Sequence, residues 1–146
     1  MNKMTEIMRS LGKFDALTLR AAAPKMSGTE IITSEYCVPA WDSTKDYSVW
    51  TAGAPVSYDG QVWTLIQPHN AANYDGTPAT LRALWGLCHT KDPARAKAWV
   101  APYGTSGMYM TDECYKADDG TVYRCKQDNT IYDAAALPTA WKVVNA

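Results

Sequence analysis

The side chains able to stack outnumber those able to do acid–base work in this chain. There are six Trp and nine Tyr but only two His, His69 and His89. Neither histidine lies near a convincing nucleophile or acid pair in sequence. There is no Gly-rich phosphate loop after a strand, no His-Glu-x-x-His and no Gly-x-Ser-x-Gly. Asp75, Asp112, Asp118, Asp119 and Asp128 stand in turn-like contexts, where aspartate is expected for backbone hydrogen bonding. Cys37, Cys88, Cys114 and Cys125 lack zinc-ligand spacing. These residues predict no catalytic group, no metal and no cofactor. Binding suits them better: a pyranose C–H face stacks on an indole or phenol ring, and Tyr and Trp are enriched where proteins meet.

The elements that position these rings must be small. In 146 residues, Ile, Leu, Val and Phe fill only 22 positions, a level that signals disorder when it comes with high net charge and few aromatics. Here the formal charge is −1, and each ring can bury roughly 150–250 Å². The composition therefore predicts a folded chain with ring-dominated cores. Lys and Arg are interleaved with Asp and Glu without a basic run, which argues against nucleic acid. No apolar stretch approaches the roughly 20 residues of a membrane span, and the N-terminus lacks the apolar region of a secretory signal.

The strongest pattern is a repeat, Trp41 to Cys88 and Trp99 to Val144. Trp41 matches Trp99, Trp50 matches Tyr109, and the Asp59-Gly60 stretch matches Asp119-Gly120, with one residue extra in the second copy. Further on, Gln67 matches Gln127, Tyr74 matches Tyr132, Pro78 matches Pro138 and Trp85 matches Trp141. Each Asp-Gly supplies the positive-φ pair of a two-residue type I′ hairpin. That turn sets Val56 against Trp63, Lys116 against Tyr123 and Cys114 against Cys125. The cysteine pair reads either as a disulfide or as two small core hydrophobes. Trp41, Trp63, Trp85, Trp99, Tyr123 and Trp141 are expected to be mainly structural.

Ahead of the repeat, Met4, Ile7, Met8 and Leu11 share one helical face, with Gly12 at the stop. Asp15 is a candidate N-cap stapled by Phe14 and Leu19, and the helix continues until Pro24. So short a helix needs a partner surface, either its own β-domain or another copy. Glu30–Thr33, with adjacent isoleucines, reads as a connecting strand. His89 to Gly107 reads as a linker with one helical turn at Asp92-Pro93.

One family resemblance covers about 100 of the 146 residues. Tyr47-x-x-Trp50-x-x-Gly53-x-x-Val56-x-Tyr58-Asp59-Gly60-x-Val62-Trp63 with Pro78 and Trp85 resembles the small chitin- and cellulose-binding modules of the family 5/12 type. Tyr109-x-x-Asp112, then Asp119-Gly120-x-Val122-Tyr123 with Pro138 and Trp141, resembles them again. Where those modules carry Gly-Asp before the first strand, this chain has Gly53-Ala54 and Asp112-Glu113. Where they carry an exposed tryptophan pair, it has Gln67-Pro68-His69 and Gln127-Asp128-Asn129. Copies without the tryptophans look more like those in phage tail and fibre proteins.

The combined expectation is mainly β, two tandem three-stranded hairpin modules with a short helical N-terminal segment. Residues 1–35 would attach or oligomerise, 36–88 and 108–146 would be the modules, and 89–107 the linker. The resemblance implies a non-catalytic virion-associated protein (tail, fibre or head decoration) made in the host cytoplasm. Its partners would be virion proteins, further copies of itself through the N-terminal segment, and host surface polysaccharide. Candidate ligand contacts are His69, Asn70, Tyr74, Asn129 and Tyr132 in the polar loops, with Trp50 and Tyr109 ahead of the hairpins. The alternative is a purely structural interaction protein with no glycan ligand.

Overall fold

The computed structural model describes residues 16–144. The expected helix over Met4–Leu11, the Gly12 stop, the Asp15 cap and the Phe14 staple lie outside the described residues. Helix α1 covers Ala16–Ala22 and gives way to a tight turn, Ala23–Lys25, at Pro24, which lacks the N–H an α-helix needs. The strand expected at Glu30–Thr33 is instead helix α2, Gly28–Thr33. Ser27 and Glu30 form a reciprocal capping box: Glu30 N–H donates to Ser27 Oγ and Ser27 N–H to Glu30 Oε1, both at 3.2 Å. Those two bonds satisfy free N–H groups at the helix start and outweigh the strand preference of two β-branched residues.

The rest is mostly β, in two sheets. The first has order β1-β2-β3, from Pro55–Tyr58, Gln61–Leu65 and Trp85–Leu87. Asp59 (φ 51°) and Gly60 (φ 75°) supply the two positive-φ positions of its turn, so Val56 pairs with Trp63 as expected. The inner face packs Tyr47, Val56, Trp63, Leu65, Leu84 and Trp85 into one core. The other face is covered by the helical segment, with Ala23, Ile31 and Ile32 on Val62 and Cys88.

The second sheet has four strands rather than three, in order β4-β5-β6-β7: Lys97–Ala98, Cys114–Lys116, Val122–Cys125 and Trp141–Val143. The added strand comes from 89–107, the stretch expected to be an irregular linker; β4 runs parallel to β5 with Ala98 beside Lys116. The helical turn at Pro93–Arg95, capped by the Asp92 side chain, and the stretch 99–107, which lies outside every helix and strand, follow that expectation.

The hairpin register is displaced by one residue from the one expected. Asp118 lengthens the loop to Asp118-Asp119-Gly120, in which only Gly120 has positive φ (89°). Gly120 N–H donates to Ala117 O and Ala117 N–H to Thr121 O, which is a type I turn closed by a glycine bulge. Tyr115 consequently pairs with Tyr123, and Cys114 with Arg124. Because side chains alternate with period two, the shift puts Cys114 and Cys125 on opposite faces of the sheet. All four cysteines are buried, and Cys114 and Cys125 are not joined by a disulfide.

Several main-chain bonds recur between the two sheets. Gly53 N–H donates to Leu65 O at 2.7 Å, and Asp112 N–H to Cys125 O at 2.8 Å; both donors have positive φ. Ile66 N–H donates to Leu84 O as Lys126 N–H does to Ala140 O, and Leu81 N–H to Thr77 O as Leu137 N–H does to Asp133 O. These bonds correct two of the sequence matches. They set Pro138 against Arg82 and Tyr132 against Gly76, because the second loop is four residues shorter between Lys126 and Asp133 than between Ile66 and Thr77.

The sheets are stitched by side chains on either side of β4. Lys97 pairs with Glu35, Gln61 Nε2 donates to Ala98 O at 3.0 Å, and Lys91 N–H donates to Thr29 Oγ1 at 2.9 Å.

Candidate functional site

The inner face of the second sheet opens into a cleft of about 580 Å³. Strand alternation puts Tyr115, Tyr123 and Val143 on that face, Trp141 joins them from β7, and Trp99 follows directly after β4. Buried Tyr115 and Trp141 form the floor, and half-buried Trp99 and Tyr123 form the walls. Tyr115 and Tyr123 stack at 5.4 Å with 26° between their planes. Trp141 meets Tyr115 edge-on at 4.8 Å.

Two hydrogen bonds hold the opposite wall, the loop from Tyr132 to Pro138. Ala134 N–H donates to Tyr115 Oη at 2.9 Å, and Trp141 Nε1 donates to Tyr132 O at 2.8 Å. Burial pushes the Tyr115 phenol up in pKa, against the Ala134 N–H that pulls it down, so the floor is uncharged at neutral pH. The rim carries Asp118 and Asp133, with Lys116 beside them. Asp133 Oδ1 accepts from Ala136 N–H at 3.0 Å, which fixes that carboxylate at the edge. Asp118 is exposed and makes no hydrogen bond or ion pair among the described residues. The arrangement offers two ring faces to an apolar ligand face and two carboxylates to hydroxyl or N–H donors at its edge.

Trp99 is held from behind by a column of rings. Tyr109 stacks on it at 4.9 Å and 10°, and His89 stacks on Tyr109 at 3.7 Å and 12°. His89 Nδ1 lies 3.1 Å from Glu113 Oε1, which also accepts from Met110 N–H at 2.8 Å. Trp99 therefore has little rotamer freedom left to lose when a ligand stacks on its open side.

The candidate contacts read from the sequence fall mostly elsewhere. Tyr109 is 1% exposed and presents no face to a ligand; it is a layer of the column. His69 is 6% exposed, its Nδ1 lies 2.8 Å from Gln67 O, and its ring edges onto Tyr74 and Trp85. Trp50 already has cations of its own chain over its ring, Arg20 at 4.4 Å and Lys45 at 5.3 Å. Asn70 caps the turn at Ala71–Asn73 by accepting from Ala72 N–H. Asn129 is exposed at φ 61° in a tight turn, with its N–H on Met110 Sδ. Tyr74 and Tyr132 are exposed, at 46% and 55%; of the seven, only Tyr132 adjoins the cleft, next to Asp133.

Trp99 and Tyr123, expected to be structural, are the rings that line the opening. Asp118 was legible only as a turn residue, and nothing in the sequence singled out Asp133. The inserted Asp118 was the available signal, since an extra residue in a hairpin loop changes which side chains share a face.

No protein-family model matches the chain, and no curated protein matches it. The cleft itself therefore carries the functional reading. Among the described residues there is no cluster of three or more His, Cys, Asp or Glu able to hold a metal ion, and no helix long and apolar enough to cross a membrane.

Proposed function

We propose that the two sheets are diverged copies of one carbohydrate-binding-like module, and that the cleft of the second binds glycan on a host surface. The recurrent main-chain bonds around both hairpins support the duplication. The single observation that carries the binding role is the cleft lining, with the Trp99 and Tyr123 faces beside the Asp118 and Asp133 carboxylates. Flat pyranose C–H surfaces fit the rings, and ring hydroxyls fit the carboxylates. The carboxylate pair favours neutral sugars over anionic ones by like-charge repulsion.

In this reading the protein is non-catalytic and virion-associated (tail, fibre or head decoration). Its N-terminal segment joins it to the particle or to further copies, so weak single sites gain from repetition. Calorimetric titration with hexasaccharides of β-1,4-linked glucose and N-acetylglucosamine tests the binding. One site per chain is expected, lost in Trp99→Ala and kept in Trp50→Ala. Absence of binding to both sugars and to purified host-wall polysaccharide contradicts the reading.

The second reading is a purely structural interaction protein. One observation favours it: on the first sheet, the chain's own segment after Trp99 covers the face that corresponds to the cleft, so such a face accepts polypeptide.

A further inference from the structure

The cleft on the second sheet has a counterpart on the first, and the chain fills it. The recurrent bonds align Trp63 with Tyr123, Trp41 with Trp99, Leu87 with Val143 and Arg82 with Pro138. On the second sheet the Tyr123 side is open, with Pro138 on the wall. On the first, the Arg82 guanidinium lies over the Trp63 ring at 5.1 Å from its centroid. Val100 packs against the same core, and Ala101 O accepts from Arg82 Nη1 at 3.3 Å. Gly107 closes the far end of the segment: a Cβ built there would stand 2.6 Å from Arg82 Nη2 and 3.8 Å from Leu87 Cβ.

This closure is poorly satisfied in polar terms. Arg82 is 7% exposed, and no carboxylate pairs with it among the described residues. Its Nε and Nη2 are buried without a hydrogen-bond partner. A buried guanidinium with one long hydrogen bond has lost most of its hydration, and release to water or to ligand hydroxyls restores it. The covering segment is also lightly anchored, with Tyr103 and Ser106 bonding mainly to each other and Tyr103 69% exposed. Segment and plug can therefore leave without unpairing any strand of the first sheet.

We propose that this face of the first sheet is a second site for neutral β-linked oligosaccharides, held shut by Arg82 and the Val100–Gly107 segment. It is weaker than the open cleft, because Thr77 stands where Asp133 does and Asp118 has no counterpart. The proposal rests on the glycan reading of the open cleft. A ligand gains here only what remains after displacing the segment, so the closed site fills at higher concentration than the open one. Because the segment begins one residue after Trp99, ligand stacked on Trp99 pulls on the same stretch of chain that covers Trp63.

Calorimetric stoichiometry with the β-1,4-linked hexasaccharides, on the full chain, separates the two ideas. The wild type is expected to show one site, and Arg82→Ala two. Arg82→Ala combined with Trp99→Ala should keep one, now on the first sheet. Gly107→Ala provides a second route. At φ 80° any L side chain is strained, and the new Cβ would also displace Arg82 Nη2. This variant should therefore lift the segment and add a site even if Arg82→Ala folds poorly. One site in the wild type and no more than one in either single variant overturns the closed site while leaving the open cleft intact. No site in the wild type overturns the glycan reading and this proposal with it.

Discussion

The two sheets share an antiparallel strand order, a closing tryptophan and recurrent main-chain bonds, yet one face is sealed and the other is open. On the first sheet both faces are covered: α2 and Ala23 lie on Val62 and Cys88, while Arg82 and Val100 lie on the ring side. On the second sheet the inner face is a cleft, and Arg124 and Val122 on its other side remain half-buried. The difference originates in few residues. Pro138 stands where Arg82 stands, one inserted aspartate shifts the hairpin register, and a loop four residues shorter keeps Asp133 at the rim. Ring-rich sheets thus form a packed core in one half and an open cleft in the other. Keeping the backbone bonds while changing what covers the rings is enough to make that change.

The largest expected effect concerns the closing tryptophans. Trp85 is fully buried and Trp141 borders the cleft, so Trp85→Ala should cost about 3–5 kcal/mol and Trp141→Ala clearly less, read from urea unfolding. Equal costs would remove the distinction between a sealed and an open face. Next in size is Trp99→Ala, which should weaken hexasaccharide binding by on the order of tenfold or more, as loss of an interface hot spot does. The matching Trp41→Ala should leave binding within about twofold and act on stability instead.

Gly53 and Asp112 hold the same position before the two hairpins, at φ 100° and 75°. Gly53→Ala should destabilise by about 1–3 kcal/mol, because the position strains any L-residue and its Cβ would lie 2.8 Å from Pro24 Cα. Asp112→Gly should stabilise by up to about 1 kcal/mol in the same unfolding assay.

The smallest effect is acid sensitivity, shared by both halves. Asp42 and Asp46 in the first, and Asp119 and Asp128 in the second, are held below the usual carboxyl range by hydrogen bonds from Thr44, Ser48, Thr121 and Thr111. A depressed folded-state value means that their contribution is present above the unfolded pKa of about 3.9 and is lost as pH falls through the lower folded value. The melting temperature should therefore decline between pH 4 and pH 2, and Asp42→Asn with Asp46→Asn should flatten the decline about as much as Asp119→Asn with Asp128→Asn.

The first hairpin was legible to the residue because a two-residue Asp-Gly loop allows one register. The second was not, since Asp118 changes the turn type and with it the face of every residue from Cys114 to Lys116. Helix α2 was hidden by its isoleucines, although Ser27 and Glu30 stood at capping-box spacing. Strand β4 was hidden because two residues between Pro93 and Pro102 carry no periodicity of their own. The ring-rich cores could be read from composition, but which rings stay uncovered depends on Arg82, Val100 and the column behind Trp99. Those are contacts between residues distant in the chain, which local pattern does not encode.

Sugar binding in the cleft of the second sheet is tested most directly by mapping amide and indole chemical shifts while a β-1,4-linked hexasaccharide is added to the labelled protein. The largest changes are expected at the Trp99 indole, Tyr123, Asp118 and Ala134–Ala135, with small ones at Trp50 and Tyr74. Changes centred on Trp50 or Tyr74, or none anywhere at millimolar sugar, would contradict binding in this cleft.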